Sequence, residues 1–137
     1  MTPLENITIR LSEWSDEIEK WQYLVPFDHP AGFKDYIFRE HSNGRVKLAE
    51  IKNGDRKVGF LAYQIHCLEK REFYVLATFV EDKSIDYTDL IERFTVELAK
   101  RYNCVSLCFQ TVRAGLIKKQ IENGYRIAEV TLRKNIS

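Results

Sequence analysis

The fold of this chain is decided by residues 73–80, a nearly uninterrupted apolar run that reads Phe73-Tyr74-Val75-Leu76-Ala77-Thr78-Phe79-Val80. The run lacks the alternation of apolar and polar residues that marks a strand with one wet face. It therefore predicts a central β-strand that is covered on both faces. A helical pattern follows at 87–102 and a short apolar segment at 105–110. We therefore expect two parallel neighbouring strands joined by a helical crossover.

The segment after the central strand has the pattern of a long amphipathic helix. One helical face carries its apolar residues, which are Leu90, Ile91, Phe94, Leu98 and Tyr102. We expect Phe94 and Leu98 to be almost fully buried between this helix and the sheet. Farther along, a shorter helix ends in Asn123-Gly124-Tyr125, where the glycine suits the position after a helix. Residues 127–134 are predicted to form the last strand.

The residues before the central strand predict two helices and three strands. Residues 7–11 alternate like a strand, and Ser12 or Ser15 can cap the helix that follows. That helix has an apolar stripe formed by Trp14, Ile18, Trp21 and Val25. Asp28-His29-Pro30 is typical of the start of a second helix.

A β-hairpin is predicted next, with strands at 45–52 and 58–67 around the turn Asn53-Gly54-Asp55. The complete order is β-α-α-β-β-β-α-β-α-β, which indicates an α/β mixed sheet with helices on both faces.

The composition indicates one ordinary globular domain spanning residues 1–137. The chain is 45% hydrophobic and 30% charged, with a net charge of +1. So small a charge predicts neither a nucleic acid nor an anionic membrane as a partner. The N-terminus lacks the pattern of a secretory signal, so we expect a cytoplasmic protein.

The cysteines and histidines do not predict a metal site or a disulfide framework. Cys67, Cys104 and Cys108 each lie in an apolar stretch, which favours buried free thiols in a reducing compartment. The histidines have no metal-ligand spacing with one another or with these cysteines.

The order of elements resembles that of the GNAT (Gcn5-related N-acetyltransferase) superfamily along nearly the whole chain. The best local match is residues 116–125, Leu-Ile-Lys-Lys-Gln-Ile-Glu-Asn-Gly-Tyr, which is similar to the family's closing helix. The resemblance implies that the central strand and the next strand separate at their C-terminal ends and leave a cleft. It also implies acetyl-CoA as the cofactor of an active protein.

The resemblance places the cofactor site at the turn between the central strand and the long helix. It implies that Thr78, Phe79 and Val80 bind the cofactor, with Lys83 and Arg113 as phosphate contacts. The family's turn carries glycines, whose backbone N–H groups close on the pyrophosphate at the helix N-terminus. Residues 80–89 contain no glycine, but they do contain four acidic residues: Glu81, Asp82, Asp86 and Asp89. We therefore expect a degenerate pyrophosphate loop and weak binding of acetyl-CoA.

The catalytic groups implied by the resemblance are incomplete. Glu72 begins the central strand, where some members hold a general base, although the same carboxylate also suits a charged surface turn. The position of the family's tyrosine general acid is occupied here by Gln120, which has no proton to donate in a useful pKa range.

Two function classes follow. The first is an acyl-CoA-dependent N-acyltransferase with an atypical cofactor site. The second is a catalytically inactive structural or interaction protein, since the chain is also loosely similar to small GNAT-like bacteriophage proteins and would then lie within a virion. In the second class, self-association or a protein partner is expected at the aromatic-rich segment that begins at Trp21 and ends at Phe38.

Overall fold

The computed structural model describes residues 6–25, 31–67, 69–82, 86–110, 114–134 and 136. Its strands are β1 (Ile7–Ser12), β2 (Lys47–Asn53), β3 (Arg56–Cys67), β4 (Arg71–Val80) and β5 (Ser106–Phe109). Its α-helices are α1 (Asp16–Trp21), α2 (Arg39–Ser42), α3 (Thr88–Arg101) and α4 (Ala114–Glu122). A 3-10 turn at Gln22–Leu24 extends α1, and a π-helical turn at Lys34–Phe38 leads into α2.

The five strands form one mixed sheet in the order β1-β2-β3-β4-β5. Strands β1, β2, β3 and β4 pair with one another in succession, each pair antiparallel, and β5 runs parallel to β4. The predicted parallel pair is therefore confirmed, and β4 lies inside the sheet between β3 and β5. Helix α3 makes the crossover between β4 and β5.

Two apolar clusters cover the two faces of the sheet, as the sequence predicted. On one face, Ile18 and Trp21 of α1 pack with Phe60 of β3 and Leu76 of β4. On the other face, the cluster is built by α3 and the sheet and includes Ile91, Leu98, Phe73 and Val75. Ser15 caps α1, because its side chain accepts a hydrogen bond from the N–H of Ile18 at 3.2 Å.

The sheet opens at a β-bulge in β4. Ala77 pairs with Ala62 and Val75 pairs with Tyr63, so Leu76 is an extra residue on β4. The parallel pairing with β5 ends beside this bulge, at Val75 and Phe109. A bulged strand bends, and β4 continues along β3 to Val80 without β5 on its other side. This separation forms the cleft implied by the resemblance.

Close contact between β3 and β4 persists beyond the bulge because Gly59 has no side chain there. A Cβ at Gly59 would lie 2.2 Å from the carbonyl oxygen of Phe79. Main-chain atoms cannot give way as a flexible side chain can, so only glycine fits this position.

The structure corrects four predictions from the sequence. The three thiols are not all buried, since Cys67 is exposed and Cys104 and Cys108 are only partly buried. Residues 127–134 form no strand, since none of them lies in a ladder with a neighbouring strand. Helix α1 is shorter than the Trp14–Val25 stripe because the chain tightens into the 3-10 turn. Phe94 is only partly buried at the margin of the α3 cluster. The predicted helix start at 28–30 lies outside the described residues.

The remaining elements agree with the pattern of the sequence. Gly124 follows α4 with a φ of 93°, a left-handed conformation that glycine adopts without strain. Among the residues that the structure describes, no helix has the length and apolar character needed to cross a bilayer.

Truncation of Leu98 tests the packing of α3. Its side chain is 8% exposed in the α3 cluster, so Leu98→Ala leaves a cavity and should lower the free energy of unfolding by about 2–5 kcal/mol. Leu24→Ala is the control, because Leu24 is exposed. Urea denaturation measures both variants. An unchanged midpoint for Leu98→Ala would contradict the burial of this helix face.

Candidate functional site

A pocket of about 170 Å³ lies in the cleft between β4 and β5. Thr78 and Val80 of β4 form one wall and Phe109 of β5 forms part of another. Helices α3 and α4 close the remaining sides, and their lining residues are Thr88, Ile91, Leu116 and Gln120. The turn before α3 adds Asp82, Asp86 and Tyr87. The lining is thus mixed, with polar and apolar groups from the strands and helices and two aspartates on the side of the turn, which we call the mouth of the pocket.

Each of the two lining aspartates has a partner of its own. The Tyr87 hydroxyl donates to Oδ2 of Asp82 at 3.0 Å, and Nη2 of Arg56 lies 3.4 Å from the same oxygen. Asp86 forms an ion pair with Lys119 of α4 and accepts a hydrogen bond from the backbone N–H of Thr88 at 2.9 Å. These acids therefore link the turn to β3 and to α4.

Lys119 and Thr88 hold the Asp86 carboxylate in its charged form. The hydrogen bond from Lys119 is the largest cause, the N–H of Thr88 adds to it, and together they lower the pKa of Asp86 to about 2. The same pairing raises the pKa of Lys119. The mouth of the pocket therefore carries an ion pair at neutral pH.

The structure places the implied cofactor residues on two different faces. Thr78 and Val80 line the pocket. Phe79 points to the α1 face, where its ring centroid lies 5.6 Å from that of Trp21 and 6.4 Å from that of Phe60. Lys83 and Arg113 lie outside the described residues. Alternation along β4 explains this division, since successive side chains of a strand point to opposite faces.

Glu72 lies near the start of β4, in a polar group shared with β5. The Ser106 hydroxyl donates to Oε2 of Glu72 at 2.6 Å, and the Cys108 thiol lies 3.7 Å from the same oxygen. Burial and the charge of Glu72 raise the pKa of Cys108, which keeps its thiol protonated as a donor. The role of Glu72 as a base stays a prediction, and Glu72 is outside the pocket lining.

Aromatic residues of β3 and β4 border Glu72. His66 is opposite Glu72 in the β3–β4 register, and its ring stacks on Tyr74 with centroids 4.0 Å apart. Burial raises the pKa of the Tyr74 hydroxyl, with further contributions from Cys108 and Glu72. The carboxylate thus has a hydroxyl, a thiol and an imidazole nearby.

One functional candidate, Lys119, was missed from the sequence. Lys119 carries the cation of the pocket mouth, but it comes from a helix far along the chain from Asp86. Gln120 is buried and lines the pocket. The resemblance had already placed Gln120 at the position of the family's general acid, but no local signal relates Lys119 to Asp86.

The aromatic-rich segment is divided between core and surface. Trp21 and Phe33 are buried, whereas Tyr23 and Leu24 are exposed. The indole N–H of Trp21 donates to Oε2 of Glu81 at 2.6 Å, so one acid of the turn is directed toward α1. Association through this segment stays a prediction.

Within the described residues, no group of three or more His, Cys, Asp or Glu side chains could hold a metal ion. No family model matches the sequence, and no curated protein matches it.

Solved structures resemble the chain over nearly its whole length. A Trypanosoma brucei acetyltransferase has a TM-score of 0.69 at 13% identity, covering 95% of this chain and 99% of its own. A GNAT family acetyltransferase of Staphylococcus aureus has a TM-score of 0.64 at 14% identity, with coverages of 96% and 99%. AAC(6')-Iy in complex with the bisubstrate analog CoA-S-monomethyl-acetylneamine has a TM-score of 0.64 at 11% identity, with coverages of 96% and 99%. The chain therefore has the GNAT-like fold, as its element order predicted.

Substitution of Lys119 tests the ion pair at the pocket mouth. Because the folded-state pKa of Asp86 lies below its ordinary value, the pairing contributes stability above about pH 4, and this contribution is lost as the pH falls toward 2. Lys119→Met should raise the pKa of Asp86 part of the way back to its ordinary value, because the Thr88 hydrogen bond remains. The free energy of unfolding should then fall less steeply as the pH is lowered. The exposed neighbour gives the control, Lys118→Met. An NMR titration of the Asp86 carboxyl measures both, and equal pKa values in the two variants would contradict the pairing.

Proposed function

We propose that this protein is an acyl-CoA-dependent N-acyltransferase with an atypical cofactor site. One observation carries the proposal: the sheet opens between β4 and β5 beside the Leu76 bulge, and the opening leads into a pocket lined by Thr78 and Val80. The fold that the chain shares with solved acetyltransferases supports the same activity. The substrate acceptor would be an amine.

The pocket fits the acyl-pantetheine part of the cofactor. Beyond Val75, the edge of β4 that faces the cleft has no β5 residue paired with it. An extended ligand with amide groups can pair with such an edge in the manner of an added strand. The side chains of Val80, Ile91 and Leu116 supply apolar surface for its carbon chain.

The mouth of the pocket fits the pyrophosphate part poorly. Asp82 and Asp86 line it, and their cationic partners Arg56 and Lys119 are already engaged. A pyrophosphate must compete with these carboxylates for the two cations, and the sequence supplies no glycine cradle there. We therefore expect a dissociation constant for acetyl-CoA above roughly 100 μM.

Glu72 is the group that this proposal assigns to proton transfer. When bound, the cofactor supplies the activated acyl thioester. The carboxylate of Glu72 accepts the proton of the acceptor amine, while the Ser106 hydroxyl fixes the orientation of Oε2. Gln120, in the pocket wall, can donate an amide hydrogen bond to a carbonyl oxygen but cannot act as an acid.

Filling the pocket tests the location of the cofactor. Thr78→Phe places a large ring where Thr78 now lines the pocket, so calorimetric titration with acetyl-CoA should show at least a tenfold loss of affinity, about 1.4 kcal/mol. The control is Thr8→Phe, at an exposed position of β1, and it should bind as the unmodified protein does. Equal binding by the two variants would place the cofactor elsewhere.

Removal of one acid tests the atypical part of the site. Asp86→Asn releases Lys119 for a phosphate and removes a negative charge, so affinity for acetyl-CoA should rise by roughly threefold to tenfold at low salt. Asp35→Asn changes an exposed aspartate outside the pocket lining and is the control. Low-micromolar binding by the unmodified protein would contradict the proposed weakness of the site.

The acidic mouth also favours a second candidate, a catalytically inactive GNAT-fold structural or interaction protein, in the cytoplasm or in a virion. Such a protein would bind its partner through exposed residues such as Tyr23 and Leu24. Absence of saturable acetyl-CoA binding in both the unmodified protein and Asp86→Asn, with no acylation of a panel of amines, would favour this candidate over the acyltransferase.

A further inference from the structure

Three strands contribute proton-bearing side chains to one patch on the α1 face of the sheet. The β4–β5 register places Glu72 opposite Ser106 and Tyr74 opposite Cys108. On the other side of β4, His66 of β3 is opposite Glu72. Tyr74 packs at the margin of the α1 cluster, which identifies the face. All five side chains are only partly buried, so solvent reaches the patch.

Glu72 lies too far from the opening of the sheet to take a proton there directly. The β4–β5 pairing ends at Val75, three residues beyond Glu72. Because a strand rises about 3.3 Å per residue, Glu72 lies about 10 Å back from the opening. The Ser106 hydroxyl, opposite Glu72, holds Oε2 at that level. A base that acts directly must come within about 2.6–3.2 Å of the proton it removes, so a proton from the opening needs a carrier.

Tyr74 and Cys108 occupy the interval between Glu72 and the opening. Tyr74 is the next residue of β4 on this face in the direction of Val75, because alternate residues of a strand share a face. The Cys108 thiol donates toward Oε2 of Glu72 across 3.7 Å. Burial and the charge of Glu72 raise the pKa of Cys108, and hydrogen bonds with Ser106 and Tyr74 oppose the rise. The thiol therefore interacts with both the carboxylate and the Tyr74 hydroxyl.

Both carriers hold the proton that a transfer toward Glu72 requires. Burial raises the pKa of Tyr74, with further contributions from Cys108 and Glu72. The hydroxyl and the thiol are therefore protonated at neutral pH and available as donors. His66 stacks on the Tyr74 ring with centroids 4.0 Å apart, which restrains the ring. The other groups that act on Tyr74 or Cys108 are Ser106, Tyr125 and Glu129.

We propose that Tyr74 and Cys108 form a proton relay that carries the proton of the acceptor amine from the opening of the sheet to Glu72. This inference rests on the proposed acyltransferase function. The Tyr74 oxygen takes the amine proton while its own hydroxyl proton passes to the sulfur of Cys108. The thiol proton passes in turn to Oε2 of Glu72.

The relay returns both carriers to their starting forms. Tyr74 ends as a hydroxyl and Cys108 as a thiol, so the only net change in the chain is one proton gained by Glu72. The Glu72 carboxyl then releases this proton to water. Gln120 has no proton to give to the leaving sulfur, so water supplies that one. One proton is thus released to water and one is taken from it.

An NMR titration of the cysteine Cβ resonances tests the relay in the unliganded protein. Glu72→Gln removes the charge that raises the pKa of Cys108, so this pKa should fall. Tyr74→Phe removes a hydrogen bond that lowers it, so the pKa should rise. The control is Glu69→Gln, which changes an exposed carboxylate just before β4 and should leave the pKa of Cys108 unchanged. An unchanged pKa in either Glu72→Gln or Tyr74→Phe would overturn the relay whatever the activity.

Steady-state kinetics with acetyl-CoA and a panel of alkylamines, arylamines and lysine peptides tests the transfer itself. Cys108→Ala and Tyr74→Phe should each lower kcat at least about tenfold with little change in KM. Cys108→Ser should keep kcat within about threefold, because a hydroxyl both accepts and donates a proton. Cys104→Ala and Tyr102→Phe are the matched controls, since both positions are partly buried and outside the relay, and they should keep the full kcat.

The outcomes separate the relay from the function on which it rests. Full kcat in Cys108→Ala or in Tyr74→Phe would overturn the relay while the acyltransferase activity stands. An equal loss of kcat in Cys108→Ala and Cys108→Ser would also overturn it, because Cys108 would then act only through packing. No acetylation of any amine by the unmodified protein would overturn the proposed function and the relay with it, even if the thiol titrations gave the expected shifts.

Discussion

The parallel pairing of β4 with β5, and its abrupt end at Val75 and Phe109, is the constraint on which the rest of the structure depends. The extra residue Leu76 bends β4 at this point, while Gly59 lets β3 stay close to β4 as far as Val80. One side of β4 therefore remains paired and the other side opens. This difference between the two sides of β4 determines where the pocket lies. It also determines how α3 and α4 line the pocket and where the turn before α3 is placed.

The charged side chains at the opening distinguish this pocket from a site built for a polyphosphate. A site for a polyphosphate would offer converging N–H groups and unpaired cations, but this turn offers aspartates whose cations come from β3 and α4. These pairs join three elements across the mouth, so they hold the turn in place and reduce its attraction for anions. Under the proposed function, the side chains that hold the turn in place would also weaken the binding of acetyl-CoA.

The edge of β5 connects the candidate site with the surface of the molecule. Ser106 and Cys108 contact Glu72 from a strand of only four residues, and a strand that short is held by few backbone hydrogen bonds.

The sequence by itself determined the order of elements as far as α4, the parallel β4–β5 pair and the face of α3 that contains Leu98. Each of these depends on local periodicity, on chain connectivity or on the handedness of the crossover, and residues close together in the chain encode them. It also predicted a strand at 127–134, because alternation is a local property, whereas a ladder needs a neighbour that the sequence cannot place.

Only the tertiary structure decided which distant charges meet. Nothing in the sequence near Asp86 predicts Lys119, and nothing near Glu72 predicts Ser106, because side chains far apart in the chain come together only when the helices and strands pack. The partial exposure of Phe94 has the same origin, and so does the outer edge of β5, with which no described strand pairs. Periodicity fixes which residues share a face, but packing decides what covers that face and what is left exposed to solvent.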